Sequence, residues 1–268
     1  MLMKTNWVCL MYHDVVADRD ALTASSGYFA VTAHAFARHL ELLREKGLGG
    51  CAIATALEPS TVNRVAISFD DGNAGQGNVA FPALVAAGMT ATFFITTGWV
   101  GRPGFVSWDQ LREMRDAGMA IESHTHSHPF LSEIPETRLR DELRQSREML
   151  GEQLGEPPTM IALPGGDAPQ RELWRLFAEE GYESVATSRW GMNQPLAGGK
   201  SLLTTVRRCT VRGELSDREF VAIAKGNPWL RTRKRLREEA LAAVRRILGP
   251  TRYAKRRKQL LNAASGLR

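Results

Sequence analysis

The feature that most constrains the fold is the alternation of short apolar runs with longer segments of helical periodicity. Seven runs are rich in β-branched and aromatic residues and have the length of buried strands. These runs are residues 8–12, 65–69, 91–95, 119–123, 160–163, 184–187 and 207–211. The intervals have helical periodicity, and several end at a glycine suited to a left-handed C-cap. Repeated strand–helix units with short connections predict a parallel sheet with right-handed crossovers.

The number of repeated units indicates how this sheet is arranged. Seven units suit a closed or nearly closed barrel better than an open sheet, although a doubly wound sheet has the same alternation. A chain of 268 residues is long enough for a barrel with an appendage. We therefore predict an α/β fold: a distorted (β/α) barrel of about seven strands over residues 1–225, followed by a basic helical tail over residues 226–268.

The tail carries most of the positive charge of the chain. The formal net charge is +6, but residues 231–268 contain 13 Lys and Arg against two acidic residues, and the remainder is net acidic. An apolar stripe of helical period runs through this basic segment, formed by Leu236, Ala240, Leu241, Val244 and Leu248. Such a helix suits an anionic membrane surface, and packing on the barrel with a solvated basic face is the alternative. Nucleic acid is disfavoured as a partner, because no recognition motif accompanies the charge.

The N-terminal apolar run, residues 7–12, bears on where the protein works. It is about half the length of a secretory signal core, and no segment has the ~18 apolar residues of a membrane-spanning helix. These features predict a cytoplasmic protein, and a lipid-binding tail would place it at the inner face of the membrane. Three widely spaced cysteines, Cys9, Cys51 and Cys209, are expected as buried thiols.

Polar clusters follow four of the predicted strands, at the point where each strand ends. They are residues 12–14, 70–72, 124–128 and 164–166. Because the carboxyl ends of parallel strands converge on one mouth of a barrel, we expect these clusters to form one site.

Asp70 and Asp71 place two carboxylates side by side as a strand leaves the sheet. Their side chains would diverge, so that one could bind a metal while the other holds a water. Asp-Asp-Gly is also a common turn sequence, and a purely structural turn is the alternative.

Histidines at 124, 126 and 128 are half of the six in the chain. If this segment forms one helical turn, His124 and His128 share a face and can bind one ion, while His126 points elsewhere. Two neutral imidazoles and one carboxylate with open positions suit Zn²⁺, and Co²⁺, Ni²⁺ or Mn²⁺ can also bind such a set. The alternative is a polar surface turn with incidental histidines.

Together these motifs resemble the polysaccharide deacetylase family (carbohydrate esterase family four). The family's Thr/Ser-Phe-Asp-Asp-Gly motif matches residues 68–72, and its His-Ser/Thr-x-x-His-Pro motif matches residues 124–129. The Tyr-His-Asp-Val of residues 12–15 and the strand at 92–95 resemble members found in exopolysaccharide assembly. The resemblance covers residues 8–211.

The resemblance implies a role for each matched residue. Asp70 would be the catalytic base, while Asp71, His124 and His128 would be the metal ligands. The family's Arg-x-Pro-Tyr-Gly motif reads Ala-Leu-Pro-Gly-Gly at 162–166, so the arginine that would orient the base is absent there. The backbone N–H of Gly165 could still meet the developing oxyanion.

The family's usual general acid is also absent, because no histidine follows His128. The leaving amine must still be protonated. Asp70 returning its proton, metal-bound water and His13 are the candidate donors, and a structural hydrogen bond to a loop carbonyl is the alternative for His13.

The function implied is removal of acetyl groups, in the first place the N-acetyl of an aminosugar, from a sugar polymer or sugar-lipid. Trp99, Trp108 and Trp190 are candidates for sugar stacking, with core packing as the alternative. A catalytically silent glycan-binding protein with the same fold is the alternative function, suggested by Ala162 and the missing histidine. The intact base and ligand set favour the enzyme.

Overall fold

A computed structural model describes residues 6–18, 29–59, 63–196, 203–212 and 215–228, together with a few single positions in the C-terminal tail. Two sets of strands lie in these residues. The strands are β1 Val8–Tyr12, β2 Val15–Val16, β3 Val31–Thr32, β4 Gly49–Cys51, β5 Arg64–Phe69, β6 Thr92–Ile95, β7 Ala120–Ser123, β8 Met160–Ala162, β9 Ser184–Thr187, β10 Thr204–Arg207 and β11 Cys209–Thr210. β2 and β3 form a small separate pair.

The other strands form one parallel sheet, nine strands within the described residues, in the order β10-β9-β8-β7-β6-β5-β1-β11 with β4 beside β5. β10 and β11 stand at opposite ends of this order, yet Arg208 alone separates them in the chain. One stretch of chain therefore pairs with β9 through its first half and with β1 through its second. The sheet is a nearly closed barrel, and the predicted fold class is confirmed.

Two details of the strand prediction are wrong. The predicted strand 207–211 is in fact the end of β10 and the whole of β11, divided where the chain turns from one sheet edge to the other. β4 is not predicted because its sequence, Gly-Gly-Cys, has no apolar alternation. It pairs with β5 all the same, since the backbone supplies its hydrogen bonds.

Helices follow most of the strands. They are α1 Ala33–Glu45, α2 Ile53–Leu57, α3 Phe81–Ala87, α4 Trp108–Asp116, α5 Glu136–Leu154, α6 Arg175–Glu179 and α7 Asp217–Ala224. Thr32 caps α1, accepting a hydrogen bond from the backbone N–H of Ala35 at 3.2 Å. A five-residue π-helix, Gln76–Ala80, precedes α3.

Alternate residues of each strand belong to different hydrophobic clusters. Val65 and Ile67 of β5 pack in a cluster with helix residues such as Phe36 and Leu84, outside the barrel. Ala66 packs instead with residues from strands all around the sheet, among them Cys9, Phe94, Ala162, Ala186 and Val206. Only the barrel interior brings those strands together, so Ala66, Ser68 and Asp70 follow one inward-facing row.

The predicted basic tail, residues 226–268, lies almost wholly outside the described residues. The helical extension, its contact with an anionic membrane and the cellular location stay predictions. Among the described residues, no helix combines the length and the apolar character needed to cross a membrane. The three cysteines are buried and free, as expected.

Candidate active site

The four predicted polar clusters meet at one end of the barrel, as expected. His13 follows β1, Asp70 follows β5, His124 follows β7 and Gly165 lies just beyond β8. Because every pairing among these strands is parallel, their carboxyl ends share one rim.

The two neighbouring carboxylates occupy different environments. Asp70 is buried, with 3% of its surface exposed, whereas Asp71 is half-buried. Asp71 has a φ of 82°, a left-handed conformation that costs a non-glycine residue on the order of 1 kcal/mol or more. Its carbonyl accepts a hydrogen bond from the Thr96 N–H. This backbone conformation turns the two side chains towards different partners.

Asp71 faces the two outer histidines of the 124–128 segment. Its Oδ1 lies 3.4 Å from Nε2 of His124 and 3.4 Å from Nε2 of His128. Nδ1 of His124 lies 2.9 Å from the carbonyl oxygen of Ala162, so Nδ1 carries the proton and Nε2 presents its lone pair to the site. One donor atom from each residue lies within 4.8 Å of the others. The donor set and its spacing fit one divalent transition-metal ion.

The histidine segment is not the helical turn that the spacing predicts. Thr125 and His128 have positive φ values of 66° and 59°, which reverse the chain twice within four residues. Oγ1 of Thr125 stabilises this bend by accepting the His128 N–H at 3.1 Å. The expected grouping still holds, because His126 turns away and its Nδ1 lies 3.0 Å from Oγ1 of Thr97.

Glu142 of α5 fixes the histidine segment, residues 124–128, through hydrogen bonds to its backbone. Its side chain is buried and accepts hydrogen bonds from the backbone N–H groups of His126 at 3.0 Å and Ser127 at 2.7 Å. It also accepts the Ser127 hydroxyl and pairs with Arg138 at 2.8 Å. A buried carboxylate that binds two backbone N–H groups keeps the histidine bend in one conformation.

Arg208 binds Asp70 and supplies the guanidinium missing at position 162. Its two terminal nitrogens donate to the two carboxylate oxygens at 2.5 and 2.9 Å. The side chain has no exposed surface, donates from Nε to the Thr187 carbonyl and lies 5.0 Å from the centre of the Phe94 ring. Sequence reasoning missed Arg208. The available signal was an arginine in a run otherwise fit for a buried strand, Val206 to Val211.

The charges around the site set the protonation of its groups. Burial would raise the pKa of Asp70, but the positive charges of Arg208 and His124 outweigh it and hold the pKa below its usual value. Burial would lower the pKa of His124, yet the carboxylates of Asp70 and Asp71 raise it overall. Burial, followed by the charge of His124, lowers the pKa of His128 to about 4. Asp70 is therefore ionised at neutral pH and His128 is neutral.

His13 lies beside this charged group. Its ring is 4.6 Å from that of Phe29, and it lies close enough to Asp70 and Asp71 to interact electrostatically with both. Nδ1 of His13 is buried and meets no hydrogen-bond partner in the parts of the chain that the structure describes. The expected structural alternative, a bond from the ring to a loop carbonyl, is not made at this nitrogen.

Gly165 has a φ of 59° and lies under the ring of Phe130. A Cβ atom at this position would come within 2.8 Å of that ring, so the rim needs glycine here.

The three candidate tryptophans lie in different environments. Trp190 is buried and Trp108 packs against the core. Trp99 is half-buried, and its ring lies 5.1 Å from that of His128.

Comparison with known proteins agrees with this geometry. Residues 58–185 match the family model described as polysaccharide deacetylase. The chain is 26% identical over 188 residues to YxkH of Bacillus subtilis (strain 168), whose name assigns it provisionally to the polysaccharide deacetylases. That match covers 68% of this chain and 64% of the relative, so the chain spans less than two thirds of the relative's length.

Solved structures share the fold. A Streptococcus pyogenes deacetylase, PplD, in complex with acetate, is similar with a TM-score of 0.71 and 22% identity, covering 83% of this chain and 99% of that one. IcaB from Ammonifex degensii is similar with a TM-score of 0.69 and 24% identity, with the same coverage of 83% and 99%. The matched segment, 58–185, contains both aspartates and the paired histidines. Over this segment the chain is similar to the polysaccharide deacetylase family.

Proposed function

We propose that this protein is a metal-dependent hydrolase that removes acetyl groups, in the first place the N-acetyl of an aminosugar, from a polysaccharide or a sugar-lipid. The observation that carries the proposal is the pairing of two unlike carboxylates at one barrel mouth. Asp70 is buried and ion-paired, and Asp71 faces two imidazoles at 3.4 Å. Such a pair provides a base and a ligand set in contact with the same small volume.

Asp71, His124 and His128 would hold the metal, with Zn²⁺ as the first choice and Co²⁺, Ni²⁺ or Mn²⁺ as alternatives. When bound, the ion supplies Lewis acidity to the acetyl carbonyl and to water. The hydrogen bond from His124 to the Ala162 carbonyl at 2.9 Å supports this role, because it leaves Nε2 unprotonated for coordination.

Asp70 would take a proton from the attacking water. Arg208 orients the base, since its bidentate contact at 2.5 and 2.9 Å fixes both carboxylate oxygens, and its charge lowers the pKa of Asp70, which keeps the carboxylate ionised. A base of low pKa removes a proton only from an acidified water, which is consistent with a metal beside it.

His13 would give a proton to the leaving nitrogen, and the Gly165 N–H would donate to the oxygen that becomes negative in the transition state. For His13 the support is its place beside Asp70 and Asp71 and its buried Nδ1, which meets no partner in the described residues. For Gly165 the support is its position at the end of β8, next to the residue that orients His124.

The substrate class rests on the relatives' names and on the aromatic wall of the mouth. Trp99 lies 5.1 Å from His128 and 5.0 Å from Phe105, so an apolar sugar face could stack beside the reacting acetyl group. Trp108 and Trp190 pack in the protein interior and are not part of this wall.

One of the two observations that favoured the alternative function, a catalytically silent glycan-binding protein, no longer supports it. Ala162 suggested a base without an orienting arginine, but Arg208 supplies that contact from the turn between β10 and β11. We retain the enzyme as the proposed function.

The test is acetate release by protein loaded with Zn²⁺, offered an N-acetylated chitin oligomer and an O-acetylated sugar. We expect release of acetate, about one divalent ion per chain, and loss of both in the His124→Ala, His128→Ala double variant. Sugar binding without acetate release in the metal-loaded parent would favour the binding protein. Unchanged metal content in the double variant would overturn the assigned ligand set.

A further inference from the structure

Gln76 joins the two strand ends that carry the proposed acid and base. The side chain is fully buried at the start of the π-helix Gln76–Ala80. Its Nε2 donates to the carbonyl of His13 at 2.7 Å and to the carbonyl of Asp70 at 2.5 Å. One amide nitrogen therefore uses both of its hydrogens to connect the residue after β1 with the residue after β5.

The backbone hydrogen bonds between β1 and β5 end next to the Gln76 side chain. The last bond between β1 and β5 runs from the Asp70 N–H to the Tyr12 carbonyl at 3.1 Å. Beyond it the backbones of His13 and Asp70 separate, and the Gln76 amide spans the gap. The π-helix accounts for this placement, because such one-turn insertions shift a side chain relative to the α-helix that follows and are frequent at functional sites.

A second contact fastens the same two loops. Oδ1 of Asp14 accepts the Val15 N–H at 2.9 Å, and the Gly75 N–H also donates to this carboxylate. A Cβ atom at Gly75 would lie 2.2 Å from the Val15 carbonyl oxygen and 2.4 Å from Oδ1 of Asp14, so the loops touch through backbone. We call Asp14, Gly75 and Gln76 the clasp.

We propose that Gln76 is a positioning residue that fixes His13 relative to Asp70, so that proton donor and proton acceptor address the same acetyl group. The proposal rests on the proposed function. An acid and a base must each come within about 3 Å of their proton in one substrate pose, and a misplacement of ~1 Å can cost 10²-fold in rate. Arg208 holds Asp70 independently of the clasp, so loss of Gln76 releases mainly His13.

The two histidine ligands do not depend on the clasp. Glu142 and the Ala162 carbonyl hold the histidine bend and His124 from other elements. Asp71, which follows Asp70 in the chain, faces these histidines at 3.4 Å. Loss of the clasp should therefore affect proton transfer more than metal binding, and measuring metal content beside activity tests this separation.

The test is Gln76→Met, which keeps the length and approximate volume of the side chain and removes both N–H donors. Two substrates are compared in metal-loaded protein: a sugar N-acetyl or alkyl acetate, whose leaving group needs a proton, and an activated aryl acetate, whose leaving group does not. We expect kcat for the sugar substrate to fall roughly 10- to 10²-fold with KM little changed, and kcat for the aryl acetate to stay within about threefold. Metal content should equal that of the parent.

A double-mutant cycle with His13→Ala separates positioning from general structural damage. If Gln76 acts through His13, the His13→Ala, Gln76→Met variant cleaves the sugar substrate as fast as His13→Ala alone. Asp14→Ala loosens the clasp from its other side at a half-buried position, so it provides the same comparison if Gln76→Met does not fold.

The outcomes distinguish the two proposals. No acetate from either substrate with the metal-loaded parent would contradict the proposed function itself. An active parent whose clasp variants lose both substrates in equal proportion, or whose losses add to that of His13→Ala, would overturn the role of Gln76 alone.

Discussion

The two halves of the candidate site are built in different ways. The proposed metal side consists of Asp71, His124 and His128, which come from two short motifs inside the segment that matches the family model, residues 58–185. The proposed proton side consists of Asp70, His13, Arg208 and Gln76, and both His13 and Arg208 lie outside that segment. Arg208 reaches Asp70 across 138 residues of chain. A local motif thus determines the ligand set, whereas the environment of the base depends on closure of the barrel.

The largest effect we expect is on stability, from Arg208→Met. This change leaves the buried Asp70 carboxylate without its partner, and loss of one member of a buried ion pair costs about 3–5 kcal/mol in the free energy of unfolding. In the variant the pKa of Asp70 rises, since burial is no longer opposed by Arg208. The deficit should therefore be greatest at neutral pH and shrink as the pH falls and Asp70 takes up a proton. Denaturant unfolding at several pH values measures it.

The control for this prediction is Arg208→Met combined with Asp70→Asn. Removing the charge on both partners leaves no unpaired ion, so the double variant should regain part of the lost stability. A double variant as unstable as Arg208→Met would mean that the guanidinium matters for its contacts with the Thr187 carbonyl and Phe94 instead.

The same contrast explains how much the sequence could predict. Elements with a strong local pattern are predicted well: β1 and β9 have the expected bounds, and the polar clusters lie at the expected rim. Contacts that depend on closure are not predictable from pattern. Nothing in the spacing of residues 207–211 indicates that Arg208 lies between two strands at opposite ends of the sheet.

Local geometry at the site also departs from simple periodicity. The spacing of His124 and His128 predicts the right pair through the wrong conformation, because left-handed residues replace a helical turn. Likewise helical periodicity does not indicate that a π-helix, Gln76–Ala80, precedes α3. Both departures lie where the backbone is shaped by hydrogen bonds to side chains, from Thr125 and from Gln76.

The next effect compares the adjacent aspartates directly. Asp70→Asn should keep the ion and lower kcat by roughly 10²-fold or more, which corresponds to about 2.7 kcal/mol, because the base is lost. Asp71→Asn should lose the ion as well as activity, since a charged ligand becomes neutral. Elemental analysis measures the metal content of each variant, and acetate release measures its activity. Equal metal loss in the two variants would mean that the two sides are one coupled unit.

The pH dependence of metal binding sharpens the contrast within the metal side. The pKa of His124 is raised and that of His128 is lowered to about 4, so as the pH decreases in the absence of metal, Nε2 of His124 takes up a proton before His128 does. Affinity should fall as the pH decreases through the pKa of His124. Calorimetric titration with Zn²⁺ in two buffers of different ionisation enthalpy should show proton release per ion that rises towards about one as the pH is lowered through the pKa of His124. Proton release that does not rise, or that reaches two well above the pKa of His128, would contradict this assignment.

The smallest effect we expect comes from Glu142→Gln, the counterpart on the metal side of Gln76→Met. Glu142 touches the bend between the two histidine ligands through the N–H groups of His126 and Ser127, and it has no contact with Asp70 or His13 among the described hydrogen bonds. Both N–H groups donate to the same carboxylate oxygen, so glutamine keeps an acceptor for them, but a neutral and weaker one. Its amide nitrogen would face the Ser127 hydroxyl and Arg138, and the ion pair with Arg138 is lost. The bend should become less ordered, and metal affinity should fall about tenfold, the lower end of the range for outer-shell partners of a metal site.

Because the proton side is untouched, kcat at saturating metal should stay close to that of the parent for both the sugar substrate and the aryl acetate. Metal titration followed by activity measured at saturation separates the two quantities. A loss of kcat that excess metal does not restore would show that the histidine bend also shapes the proton side, and the division of the site into two independently held halves would then be wrong.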